Sequence, residues 1–175
     1  GHSVGEIAAA CVAGVMSMET GMTLAVHRSQ LMQALPPGEG VMFAARCSAE
    51  ETTAAISKLG VEAKASVAAV NGPKSVTISG AEAEVAAVLE ELGMEGKQLS
   101  VSHAFHSPLM VPMEGDFRAV VASLPLVPPS VVGIWLESPL AHTSVVAASR
   151  TTSIAAQNVC MYVCRFYTSI EPLHP

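Results

Sequence analysis

The feature that most limits what this chain can fold into is an alternation of short strand-like and helix-like segments between residues 40 and 101. Residues 41–45 form an apolar strand candidate, and Ser48-Ala49-Glu50-Glu51 is a capping box that opens a helix predicted to reach Lys58. Residues 64–70 and 75–79 read as two strands joined at the turn Asn71-Gly72-Pro73. A Glu- and Ala-rich helix over 81–92 closes at Gly93, and residues 97–101 supply a last strand. The order βαββαβ predicts a ferredoxin-like arrangement.

Helices are predicted on either side. Residues 5–15 are rich in Ala, Ile and Val and read as a short buried helix ending at Gly14. Ser17 is placed to cap a second helix, with Glu19 in its first turn, and Pro36-Pro37 stops that helix near Leu35. Residues 108–124 read as one further helix. After residue 129 the character changes: only Glu137, Arg150, Arg165 and Glu171 are charged, and neither a helical nor a strand period is clear beyond Leu140. Residues 1–129 are therefore expected to be one partial domain, and 130–175 an atypical tail outside it.

Composition narrows the function. The chain has 175 residues with 9 basic and 15 acidic side chains, a net charge of −6, which argues against a nucleic-acid partner. The longest uncharged stretch, 119–136, is interrupted by Pro125, Pro128 and Pro129, so no membrane span is expected. Four cysteines without a CxxC spacing suit a reducing, cytoplasmic compartment, and no metal site is expected. Because it starts at Gly1-His2-Ser3, the chain is expected to be an excerpt of a longer polypeptide.

Chemistry concentrates at the start. Gly1-His2-Ser3-Val4-Gly5 is a G-x-S-x-G elbow running directly into a helix. Glycines permit a sharp turn, the serine is thrust clear of the backbone, and the helix N-terminus favours negative charge nearby. The Val4 N–H would then face a developing oxyanion, and one such donor is worth about 2.7–4 kcal/mol in a transition state. A serine needs a base. His103-Ala104-Phe105-His106, where the last strand gives way to a loop, offers two candidates that spacing does not separate. Asp116, the only aspartate, follows this pair, so the hydrolase order Ser…Asp…His would need His142 or His174 from the tail. Arg28, mid-helix between Ala25, Val26, Leu31 and Met32, is either a snorkelling arginine or a guanidinium fork for a substrate carboxylate.

Four separated segments appear in order: Gly1-His2-Ser3-Val4-Gly5-Glu6, His27-Arg28-Ser29-Gln30-Leu31-Met32-Gln33, Asn71-Gly72-Pro73, and His103-Ala104-Phe105-His106-Ser107-Pro108-Leu109-Met110. Over residues 1 to about 129 the chain resembles the acyltransferase domains of modular polyketide synthases and the malonyl-CoA:acyl carrier protein transacylases of fatty acid synthesis. The resemblance implies an α/β-hydrolase-like core, here incomplete, with an inserted ferredoxin-like subdomain at about 40–101. It implies Ser3 as acylated nucleophile, His106 as general base and acid, Arg28 as the malonyl carboxylate site, and Val4 as oxyanion donor. His103 and Phe105 belong to a tetrad of the form found in malonyl-selective domains, where methylmalonyl-selective ones tend to carry Tyr-Ala-Ser-His. No bound cofactor is implied. Malonyl-CoA is the implied substrate, and the implied partners are an acyl carrier protein with its phosphopantetheine and neighbouring synthase domains. The family's upstream Gly-Gln-Gly segment is missing, so the excerpt alone is expected to fold poorly and be inactive. Two other readings compete: a serine hydrolase using the same elbow, and a non-catalytic docking remnant.

Overall fold

A computed structural model describes residues 2–128; the expected tail at 130–175 lies outside the described residues. The chain divides into two compact units, one containing residues 2–34 and 113–128 and the other residues 35–112.

In the first unit, α1 (Gly5–Val12) and α2 (Met18–Gln33) form a pair, and α5 (Glu114–Ser123) packs on α2. The α1 helix stops two residues before Gly14, whose φ of 76° supplies the left-handed conformation that turns the chain. Ser17 caps α2 as its position predicts, its Oγ accepting from the Thr20 N–H at 3.1 Å. Gly21 lets α1 and α2 close together, since a Cβ there would collide with Cys11 Sγ. Ile7, Ala10, Leu24, Met32, Phe117 and Val121 are buried. The expected helix over 108–124 is instead a 3-10 segment, Pro108–Met113, followed by α5, because Pro112 has no N–H to give an α-helical ladder.

The second unit holds β1 (Val41–Ala45), α3 (Ala49–Leu59), β2 (Ala65–Gly72), β3 (Ser75–Gly80), α4 (Glu82–Glu91) and β4 (Lys97–Gln98). This is the βαββαβ succession the sequence predicts. Its strands make one antiparallel sheet in the order β2-β3-β1-β4. The capping box forms in full: Glu51 N–H donates to Ser48 Oγ at 3.1 Å, and Ser48 N–H to Glu51 Oε2 at 2.8 Å. Two elements differ in extent from expectation. Strand β2 runs on through Asn71 and Gly72, so the turn falls at residues 73 and 74, and β4 keeps two residues where five are expected. Among the described residues every strand belongs to this sheet, so a separate hydrolase-type sheet is not represented there.

Strand alternation gives the sheet two unlike faces. Val41, Ala45, Ala65, Val76 and Ile78 point one way and join Ala55, Ile56, Val85, Val88 and Leu89 of α3 and α4 in the core, with Phe43 and Val67 packed against it. Register then puts Met42, Ser79 and Ser66 side by side on the opposite face, with Ala44, Thr77 and Ala69 as the next row. A bulge between Val67 and Ala69 restores that alternation for Val70 opposite Val76.

Candidate active site

Ser3 sits two residues ahead of α1, just before its N-cap Val4, with φ at 54°, in the left-handed region that a serine rarely adopts. The sequence predicts that glycines carry the strain of the elbow; the strain falls on the serine itself, while Gly5 is already the first helical residue. Such a conformation costs about 1–3 kcal/mol and persists only where its surroundings impose it. Three successive amides bond back, Gly5 to His2 O, Glu6 to Ser3 O and Ile7 to Val4 O, at 2.9 to 3.1 Å. Among the described residues the Val4 N–H has no backbone acceptor, so this donor at the positive end of α1 is open beside the Ser3 hydroxyl. Glu6, buried in the first turn of α1, brings a carboxylate next to the elbow, and no local signal marks it for burial.

Arg28 does not snorkel. It lies on the buried stripe of α2 with Gly21, Leu24 and Met32, at helical spacing, and is 8% exposed. A snorkelling arginine would send its head to solvent. Arg28 instead donates from Nη2 to Ser3 Oγ at 3.1 Å, across 25 residues of sequence. A guanidinium fork and a strained serine at a helix N-terminus thus share one corner of the first unit.

The other expected residues lie in the second unit, on the turn after β4. His106 has φ at 58°. Ser3 and His106 are thus the two non-glycine residues with positive φ among those described. His103 is buried, and both its ring nitrogens are engaged: Nε2 lies 3.1 Å from Leu35 O and Nδ1 2.9 Å from Ser102 Oγ. A carbonyl can only accept, so Nε2 carries the hydrogen, and in the neutral ring the Ser102 hydroxyl donates to Nδ1. The ring therefore ties the turn to the chain at Leu35, 68 residues earlier. Phe105 is half-buried with its ring 5.8 Å from that of His103. Ser107 Oγ donates to Ala104 O at 2.6 Å and accepts from the Leu109 N–H at 3.2 Å. From β2, Ser66 Oγ donates to His106 O at 2.9 Å. No local signal marks Ser66, because its partner is 40 residues away and only strand register brings it there.

A profile of the family described as "Acyl transferase domain" matches residues 1–160. The chain belongs to the acyl transferase domain family. Among curated relatives, the polyketide synthase GfsA of Streptomyces halstedii is 53% identical over 127 residues, which is 71% of this chain and 2% of that synthase. The acyltransferase domain from the second module of the salinomycin polyketide synthase is similar in structure, with TM-score 0.68 and 47% identity over 75% of this chain and 31% of that one. An acyl carrier protein S-malonyltransferase from Vibrio cholerae has TM-score 0.76 at 26% identity, over 91% of this chain and 52% of its own. This member of the acyl transferase family thus spans a small part of the synthases it matches and about a third of the salinomycin domain. Among its described residues, no group of three or more His, Cys, Asp or Glu side chains could hold a metal ion, and no helix is long and apolar enough to cross a membrane.

Proposed function

We propose that the chain is part of an acyltransferase domain that moves malonyl from malonyl-CoA to the phosphopantetheine thiol of an acyl carrier protein, in a cytoplasmic polyketide or fatty acid synthase. The observation that carries this reading is the corner around Ser3: a left-handed serine, an open Val4 N–H and a buried arginine 3.1 Å from the hydroxyl. The Vibrio relative, named for S-malonyl transfer with an acyl carrier protein, supports the substrate and the partner. The strand order β2-β3-β1-β4 supports a ferredoxin-like subdomain, set in sequence between the parts of an α/β-hydrolase-like core.

In the first step His106 takes the Ser3 hydroxyl proton as Oγ attacks the thioester carbonyl. The Val4 N–H receives the oxyanion, and Arg28 grips the free carboxylate of malonyl. Collapse breaks the C–S bond, coenzyme A leaves as its thiol with the proton from His106, and malonyl stays on Ser3 as an ester. The carrier thiol then attacks that ester, gives its proton to His106, and takes malonyl as a thioester; the proton returns to Ser3 Oγ. A neutral acyl chain would leave the Arg28 guanidinium facing apolar atoms, so the site selects dicarboxylic acyl groups. Phe105 fills space near the acyl C2 and favours malonyl over methylmalonyl, while His103 serves the substrate site by fixing the turn that carries Phe105 and His106.

Intact mass of the complete domain after brief mixing with malonyl-CoA tests this. A malonyl adduct is expected on the wild type, none on Ser3→Ala, and slow formation on His106→Ala. An adduct that survives Ser3→Ala refutes the assignment, and a folded wild type that never forms one refutes the reaction class.

A further inference from the structure

One side chain on the sheet face opposite α3 and α4 reaches the backbone of the turn that carries His106. Ser66 is 9% exposed, and its Oγ donates to the His106 carbonyl at 2.9 Å. His106 holds φ at 58°, a left-handed conformation that a residue with a Cβ adopts only at a cost. Such strain relaxes unless something opposes it. The neighbours of His106 are already tied by His103 and Ser107, but those bonds fix the backbone at residues 35, 104 and 109. The carbonyl of His106 itself is gripped from β2, an element that pairs with β3 along its length except at two irregularities.

We propose that Ser66 is a positioning residue for acyl transfer: its hydroxyl holds the peptide of His106 in the left-handed conformation and so aims the imidazole. The proposal rests on His106 being the general base. Reaction geometry is unforgiving, since a misplacement of about 1 Å costs on the order of 10²-fold in rate. Ser66 touches no reacting atom. Its removal should slow chemistry while leaving carboxylate recognition by Arg28 intact.

The test compares Ser66→Thr with Ser66→Val in the complete domain. The two replacements are close to the same size and shape, both suit a strand, and they differ by the hydroxyl. Single-turnover acylation of Ser3 is followed by intact mass over a range of malonyl-CoA concentrations, with thermal melting alongside. The expected result is Ser66→Val at least tenfold slower at saturation, Ser66→Thr recovering most of the rate, and the half-saturating concentration of malonyl-CoA unchanged in both. Equal rates for the two variants overturn the proposal, whether both match the wild type or both fall, because the hydroxyl is then irrelevant. A loss in Ser66→Val accompanied by a lower melting temperature than Ser66→Thr and a raised half-saturating concentration also overturns it, as general disruption. A wild type that is not acylated, or one unaffected by His106→Ala, fails the functional reading itself and is distinguished by that control.

Discussion

Arg28→Ala offers the sharpest quantitative test of how the site chooses its acyl group. The size of the effect follows from burial. An exposed ion pair contributes about 0–1 kcal/mol, fivefold at most, and would hardly alter selectivity. Arg28 is 8% exposed and its Nη2 already lies 3.1 Å from Ser3 Oγ, so a carboxylate bound there is shielded from water and salt. Hydrogen bonds to charged groups in such surroundings contribute about 1.5–3 kcal/mol, and each 1.4 kcal/mol is tenfold. Removing the guanidinium is therefore expected to reduce kcat/KM for malonyl-CoA by about 10- to 150-fold. Acetyl-CoA has no carboxylate for the guanidinium to hold and should be unaffected or improved. Arg28→Lys keeps the charge but loses the planar fork and should fall between. The assay is competition of malonyl-CoA against acetyl-CoA for Ser3, read by intact mass under single-turnover conditions. A selectivity ratio within about twofold of wild type would refute the reasoning. Arg28 would then be a structural partner of the serine hydroxyl and nothing more.

Three further outcomes are expected. A Cβ at Gly40 would lie 2.6 Å from both Ala104 Cβ and Gly80 O and 2.7 Å from Leu109 Cδ1, so Gly40→Ala should destabilise by about 1–3 kcal/mol and slow acylation by displacing the 103–107 turn; a raised melting temperature would contradict this. The Ser48 N–H and then its side chain hold the Glu51 carboxyl below its ordinary value of 4.5. Glu51 therefore stabilises the fold above that value, and its contribution disappears as pH falls through the lowered one; in urea unfolding at stepped pH, Glu51→Gln should be weaker than wild type at pH 6 and converge with it in acid. Phe105→Ser should raise acceptance of methylmalonyl relative to malonyl by about tenfold or more in a competition assay, since one methyl in an apolar pocket is worth about 1–3 kcal/mol. An unchanged ratio would remove Phe105 from the selectivity argument.

Much of this architecture is legible in the residues because its signals are local. The Ser17 cap, the Ser48–Glu51 box, the Gly93 turn with φ of 62°, and the apolar run of β1 all act within a few residues. The misplacements are local as well but depend on competition. Pro112 converts an apparent helix into a 3-10 segment, and β2 extends through Gly72 because pairing with Ser75 outweighs the turn preference of Asn71-Gly72. The site divides the same way. Ser3 announces itself by motif, and Arg28 as the one Lys or Arg of a sparsely charged helix. That His103 Nε2 reaches Leu35 and that Ser66 reaches His106 depend on contacts across 68 and 40 residues of sequence. No window along the chain contains those pairs.

The unlike faces of the sheet mean that neighbouring residues on a strand answer to different demands. Along β3, Val76 and Ile78 belong to the core against α3 and α4, while Thr77 and Ser79 alternate with them on the face that carries Ser66. Both sets are buried, Thr77 at 7% and Ser79 at 0% exposure, so each position of this strand is closed in on its own side. Variation in this strand therefore has a parity: one set of positions must fit two helices, and the set interleaved with it must fit whatever shares a face with Ser66.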